Sequence, residues 1–171
     1  MTSHAASHHL APTTQPPRAR RNSAPYDPWL DVRQNWPQVQ VVIEVMAGDL
    51  LGEVRNGGSV IALRADTSAA QRRCTLTHEL VHLERGIFNC GPWLQREELL
   101  VHATVATRLI PLDALISAIR DLGGPDDQAA LAHWLDVDSE TLALRLARLT
   151  TSERRRLRRG LARQSPLWSV A

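Results

Sequence analysis

The stretch Cys74 to Gly86, CTLTHELVHLERG, sets two histidines four residues apart, with a glutamate directly after the first. On an α-helix, positions four apart stack on one face with Cβ atoms about 5–6 Å apart. Two imidazoles so placed can each aim a nitrogen at one Zn²⁺ about 2.0–2.1 Å away. Glu79 falls roughly 100° around the helix from His78. There it misses the ion but reaches a water bound to it, the reading attached to the pattern H-E-x-x-H. A chain of this composition would yield roughly 0.013 such matches by chance. The competing reading is three polar residues sharing a helix face, and the surrounding sequence has to decide.

On a helical wheel Ala69, Leu76, Leu80 and Leu83 cluster on one side. His78 and His82 fall almost opposite, with Cys74 and Val81 beside them. A helix apolar over that much of its circumference is predicted to be buried between two layers. Imidazoles on its second face then need partners, because burying them unsatisfied costs free energy. The extended zinc pattern with a third histidine on the same segment fails, since Arg85 and Phe88 stand at its Gly and His positions. The next predicted helix offers a carboxylate instead. Leu94, Glu98, Val105 and Leu109 share one stripe, with His102 between. A charge on an otherwise apolar face is the informative exception. Glu97 falls nearer Thr104 and Arg108, on the side expected to be wetter. Glu98 is therefore the predicted third ligand. Two histidines, one glutamate and one open position make the catalytic arrangement of zinc, not the closed structural one. Zinc lowers the pKa of a bound water towards ~7. Glu79, as general base, would take that proton and pass it to a leaving amine. The predicted reaction is hydrolysis of a peptide bond.

The elements that must position these residues are legible in outline. Asp27-Pro28 suits an N-cap followed by Pro at the first helical position, opening a short helix that ends before Pro37. Gln38 to Met46 reads as a strand. Asp49 to Arg55 and Ser59 to Arg64 read as a hairpin about Asn56-Gly57-Gly58. Ser68 with Gln71 fits a capping box for a helix running to about Arg85, with Gly86 at a left-handed C′ position. Further helices are predicted over about 94–110, 112–122, 126–135, 139–149 and 152–163. Strands followed only by helices predict an α+β fold: a small antiparallel sheet packed on a mainly helical, zincin-like core. The predicted organisation is a disordered tail over 1–25, a catalytic domain over 26–122, a helical subdomain over 123–163 and a short tail over 164–171.

Composition sets the outer limits. The chain has 171 residues, 43% of them hydrophobic, enough for one real core. The net charge of +2 suggests no polyanionic partner for the chain as a whole. Every basic residue is arginine, which reads as coding bias and not chemistry. No signal-peptide pattern or membrane-length apolar run is seen, so a cytoplasmic protein with reduced Cys74 and Cys90 is expected.

These residues resemble the ImmA/IrrE family of metallo-endopeptidases. The resemblance rests on Ile61-Ala62-Leu63, on RRCTLTHELVH from Arg72 to His82, and on Glu97-Glu98 through Arg108-Leu109-Ile110-Pro111. It spans about Tyr26 to Arg148, and the pairing of the two motifs is more specific than H-E-x-x-H alone. It implies His78, His82 and Glu98 as zinc ligands and Glu79 as base. It also implies a substrate, a helix-turn-helix repressor encoded nearby, as in phage immunity and stress regulons. Val81 replaces a commonly seen Gly, and His102 stands where several relatives have Asn. His102 and Glu97 are left as candidates for orienting a ligand or stabilising transition-state charge.

Other residues receive plainer readings. Cys74, four before His78, is expected to pack like a small apolar residue and not to ligate. Cys90 reads as a loop thiol. Histidines 4, 8 and 9 read as incidental and His133 as packed or at the surface. Trp29, Trp36, Trp93 and Trp134 are expected in the core or a cleft wall, with Trp93 placed to line a substrate cleft. A rival function comes from the C-terminal part. The helices flanking Asp136-Val137-Asp138, with Ser139 as N-cap, look like a helix-turn-helix. Beyond residue 151, six arginines stand against one glutamate, a net +5, and Arg154–Arg159 offers phosphate contacts. The alternative is therefore a DNA-binding or repressor-sequestering regulator with a structural zinc site. Against it, the second helix gives its faces to Leu142, Leu144, Leu146 and Leu149, leaving Arg145 and Arg148 as its base-edge donors. A helical subdomain that packs on the catalytic part, or docks the substrate, is the preferred reading.

Overall fold

The structure, a computed structural model, describes residues 25–86 and 94–162. The predicted tails, Cys90 and Trp93 lie outside the described residues.

The fold is α+β. Helix α1 (Pro28–Asn35) opens as the sequence predicts, Asp27 accepting from the amides of Trp29 and Leu30. Strands β1 (Gln40–Glu44), β2 (Gly52–Arg55) and β3 (Val60–Arg64) form a sheet in the order β1-β3-β2. The β2–β3 hairpin turns through Asn56 and Gly57, at φ 51° and 65°. The sheet is mixed, not antiparallel throughout: β1 runs parallel to β3, with Gln40 opposite Val60. The reason lies in burial. Ile61, Ala62 and Leu63 of β3 are fully buried, and a strand apolar on both faces takes the centre of a sheet. β1 and β2 are left to the two edges.

Helix α2 (Ala69–Arg85) begins in the predicted capping box between Ser68 and Gln71. At its end Gly86 takes the positive φ, 85°, that favours glycine, but its ψ of 141° lies outside the helical left-handed basin. Among the described residues five helices follow: α3 (Leu94–Leu109), α4 (Leu112–Asp121), α5 (Gln128–Leu135), α6 (Ser139–Ala147) and α7 (Thr151–Ala162).

Helix α2 is sandwiched, as its wheel predicts. Leu76 and Leu80 join Val32, Val39, Ile61 and Leu63 under the sheet. Cys74 and Val81 join a second core made with α3 to α6. That second core continues across Gly123, uniting residues from Val101 to Leu149. Two ion pairs brace α2 against α3: Arg108 donates to both oxygens of Glu84, at 2.7 and 2.6 Å, and Arg85 is paired with Glu97. Among the described residues no single helix is long and apolar enough to cross a membrane.

Candidate metal centre

Packing α2 against α3 brings three of the predicted side chains to one point. The Nε2 atoms of His78 and His82 lie 2.9 Å apart. Glu98 straddles them, with Oε2 3.3 Å from His78 Nε2 and Oε1 3.3 Å from His82 Nε2. Four ligands about 2.05 Å from a tetrahedral zinc are separated by about 3.3 Å; the two edges to Glu98 have that length and the His78–His82 edge is shorter.

Hydrogen bonding alone does not explain this triangle. A neutral imidazole Nε2 has either one proton or one lone pair, and a carboxylate only accepts. If His82 donates to His78, no proton remains on His78 to face Glu98. If His78 donates, His82 turns its lone pair on Glu98. If both carry the proton on Nε2, both donate to Glu98 and the two N–H groups face each other; one edge always sets like against like, whereas one cation satisfies all three. The donor set, two imidazoles and a carboxylate, suits Zn²⁺. Burial pushes His78 down to about 3, with His82 and His102 adding to the shift. The imidazole is thus held in the neutral form that binds metal.

Glu79 sits in the same cleft, 8% exposed. Among the described residues it has no hydrogen-bond partner. Burial, then the charges of Glu98 and Glu53, raise its carboxyl to about 7. That is the range in which a carboxylate serves as a general base at neutral pH.

The cleft holds ≈ 360 Å³. One wall is the segment Asp49–Gly52, held in place by Arg64, which donates to Leu50 O at 2.6 Å and also to Gly48 O. Glycine suits the close approach there, since a Cβ at Gly52 would lie 2.4 Å from Thr75 Cγ2 on α2. The opposite wall comes from the start of α6: Asp138, Glu140, Thr141 and Leu144. Neither wall is part of the sequence prediction. A glycine inside a strand pattern signals close approach, so Gly52 carried a usable sign of the first; nothing local marked the second.

The remaining candidates fall as follows. Glu97 does not line the cleft; Arg85 grips its carboxylate and holds it below the usual range. It is not on the wetter side either: its side chain is 15% exposed against 34% for Glu98, because Arg85 covers it. His102 does line the cleft, its ring 4.7 Å from that of His78. Leu94, expected on the apolar stripe, is exposed, while Val105 and Leu109 are buried. Cys74 is buried, accepts from Asp138 N at 3.5 Å and is pushed up to about 12 by burial, so it packs as a thiol. His133 is at the surface. Trp29 and Trp36 pack on the sheet-side core, and Trp134 is exposed.

The cap of α6 is Asp138, which accepts from Thr141 N, and not Ser139. Arg145 is buried, donating to Ile110 O at 2.9 Å and to Glu153 at 2.5 Å. That removes one of the two base-edge donors from the helix-turn-helix reading. In the basic run, Arg154 donates to Leu149 O and Arg156 to Asp113.

No family model matches the chain, and no curated protein or solved structure matches it.

Proposed function

We propose that this chain is a zinc-dependent endopeptidase of the ImmA/IrrE type. Its substrate is a protein, with a helix-turn-helix repressor as the class the sequence resemblance implies. The carrying observation is the closed triangle of His78, His82 and Glu98 with the buried, unpartnered Glu79 in the same cleft.

In this reading His78, His82 and Glu98 would hold the ion, with the cleft beside them open to solvent. Zinc, when bound, supplies an acidified water and a polarised carbonyl. The chain's own residues do the rest. Glu79 takes a proton from the water as its oxygen bonds to the carbonyl carbon. It returns that proton to the amide nitrogen as the C–N bond breaks. Burial that keeps Glu79 near neutrality suits both transfers. Leu50, Leu51, Val105 and Leu144 give the cleft an apolar lining for substrate side chains.

Metal analysis and one conservative variant test this. Wild type should carry about one zinc per chain and His78→Ala almost none. Glu79→Gln should keep the zinc yet fail to cut a repressor encoded beside this gene, with fragments read by mass spectrometry. Equal zinc in wild type and His78→Ala would refute the centre; cleavage surviving Glu79→Gln would refute the mechanism. The rival regulator reading predicts binding to DNA or repressor that is unchanged by Glu79→Gln and no cleavage by either form.

A further inference from the structure

We infer that His102 is a third imidazole ligand of the same centre, so that the resting molecule holds its ion with four side chains and opens when His102 withdraws. This rests on the metal-centre reading above.

The geometry is that of two facing pairs. On α2, His78 and His82 are four residues apart, and on α3, Glu98 and His102 are four apart. Residues at that spacing share a helix face, and α2 and α3 pack together with those faces opposed. Ligand atoms of His78, Glu98 and His102 all lie within 4.8 Å of one another. This set shares His78 and Glu98 with the triangle of His78, His82 and Glu98, so both sets converge on the same edge between the two helices. Four protein ligands complete a tetrahedral zinc shell and close it to water.

His102 also differs from the other three in a way that suits an exchangeable ligand. It is exposed, whereas His78, His82 and Glu98 are partly buried. Its side chain has no hydrogen-bond partner among the described residues, although it lines the cleft. Rotation about its own side-chain torsions therefore breaks no hydrogen bond and gives up only its ring contact with His78. A substrate entering between the Asp49–Gly52 segment and α6 meets His102 on the cleft wall, which couples entry to release of the fourth ligand.

The test is X-ray absorption at the zinc edge on the full chain loaded with one equivalent of Zn²⁺, in wild type and in His102→Ala. Counting imidazoles separates ligation from packing, because a residue that only packs or orients His78 leaves the count unchanged. Three imidazoles in wild type falling to two in the variant is the expected result, together with at least a ten-fold faster loss of zinc to EDTA. Two in both proteins overturns the role of His102 and leaves the three-ligand centre standing. Three in both also overturns it, since another histidine would then be the ligand. A wild type that holds no zinc overturns the centre, and this inference with it.

Discussion

Two shielded polar clusters lie on either side of α6, and they are built on opposite principles. At the α6–α7 junction the shielded charges have protein partners. Arg145 donates to Ile110 O and Glu153, and Glu153 in turn accepts from Thr150 N. At the α2–α3 junction the groups are gathered and left incomplete. Three ligand atoms form a triangle that hydrogen bonds do not satisfy, and Glu79 has no partner among the described residues. Buried polar groups are ordinarily satisfied. A cluster whose groups all find protein partners stabilises the fold, and one left open towards a cleft is where a ligand belongs.

The widest gap between the clusters should appear with Glu79→Gln. Cleavage is expected to fall about 10²–10⁴-fold, the usual worth of a general base, with the thermal midpoint hardly moved. A large drop in that midpoint would make Glu79 structural and erase the contrast. The converse change is Arg145→Leu. Losing charged hydrogen bonds should cost about 1.5–3 kcal/mol, seen as a midpoint lowered by several degrees, with zinc content unaltered.

Acid sharpens the same comparison. Arg145, followed by Thr150, holds the Glu153 carboxyl down at about 2. A folded value below the unfolded one, about 4.3, means stability that is complete above that unfolded value and lost as pH falls through about 2. Denaturation midpoints measured from pH 5 to pH 2 should therefore fall more steeply in wild type than in Arg145→Leu. Parallel slopes would show that the pair contributes nothing.

Smaller effects probe the edges. Gly52→Ala brings a methyl against Thr75 and should cost about 1 kcal/mol, at the low end for overpacking. Adding Thr75→Ser removes Cγ2 and should recover most of it. The exposed Arg156–Asp113 pair, 62% and 72% exposed, should matter least. Arg156→Ala is expected to change stability by under about 0.5 kcal/mol.

Much of this was local enough to read from the chain. The Asp27-Pro28 start, the Ser68–Gln71 capping box and the Asn56-Gly57 turn depend on residues within a few positions of one another. Their hydrogen bonds and φ angles are fixed by neighbours. The i, i+4 spacing of His78 and His82 is likewise a property of one helix. So is the place of Glu98 on a face of the next, and the structure sets those two faces together. The parallel pairing of β1 with β3 was not local. It depends on which strand is buried on both sides, a competition among segments 20 residues apart.

By itself, the sequence determined the helix that carries His78, Glu79 and His82, and the two buried faces that force it between layers, because periodicity acts over single turns. Only the tertiary structure decided that Arg85 draws Glu97 away from the cleft. It alone brought the start of α6 to the cleft as a wall, and set ligand atoms of His102 within 4.8 Å of those of His78 and Glu98. Those outcomes turn on distances between elements, which packing sets and spacing along the chain does not.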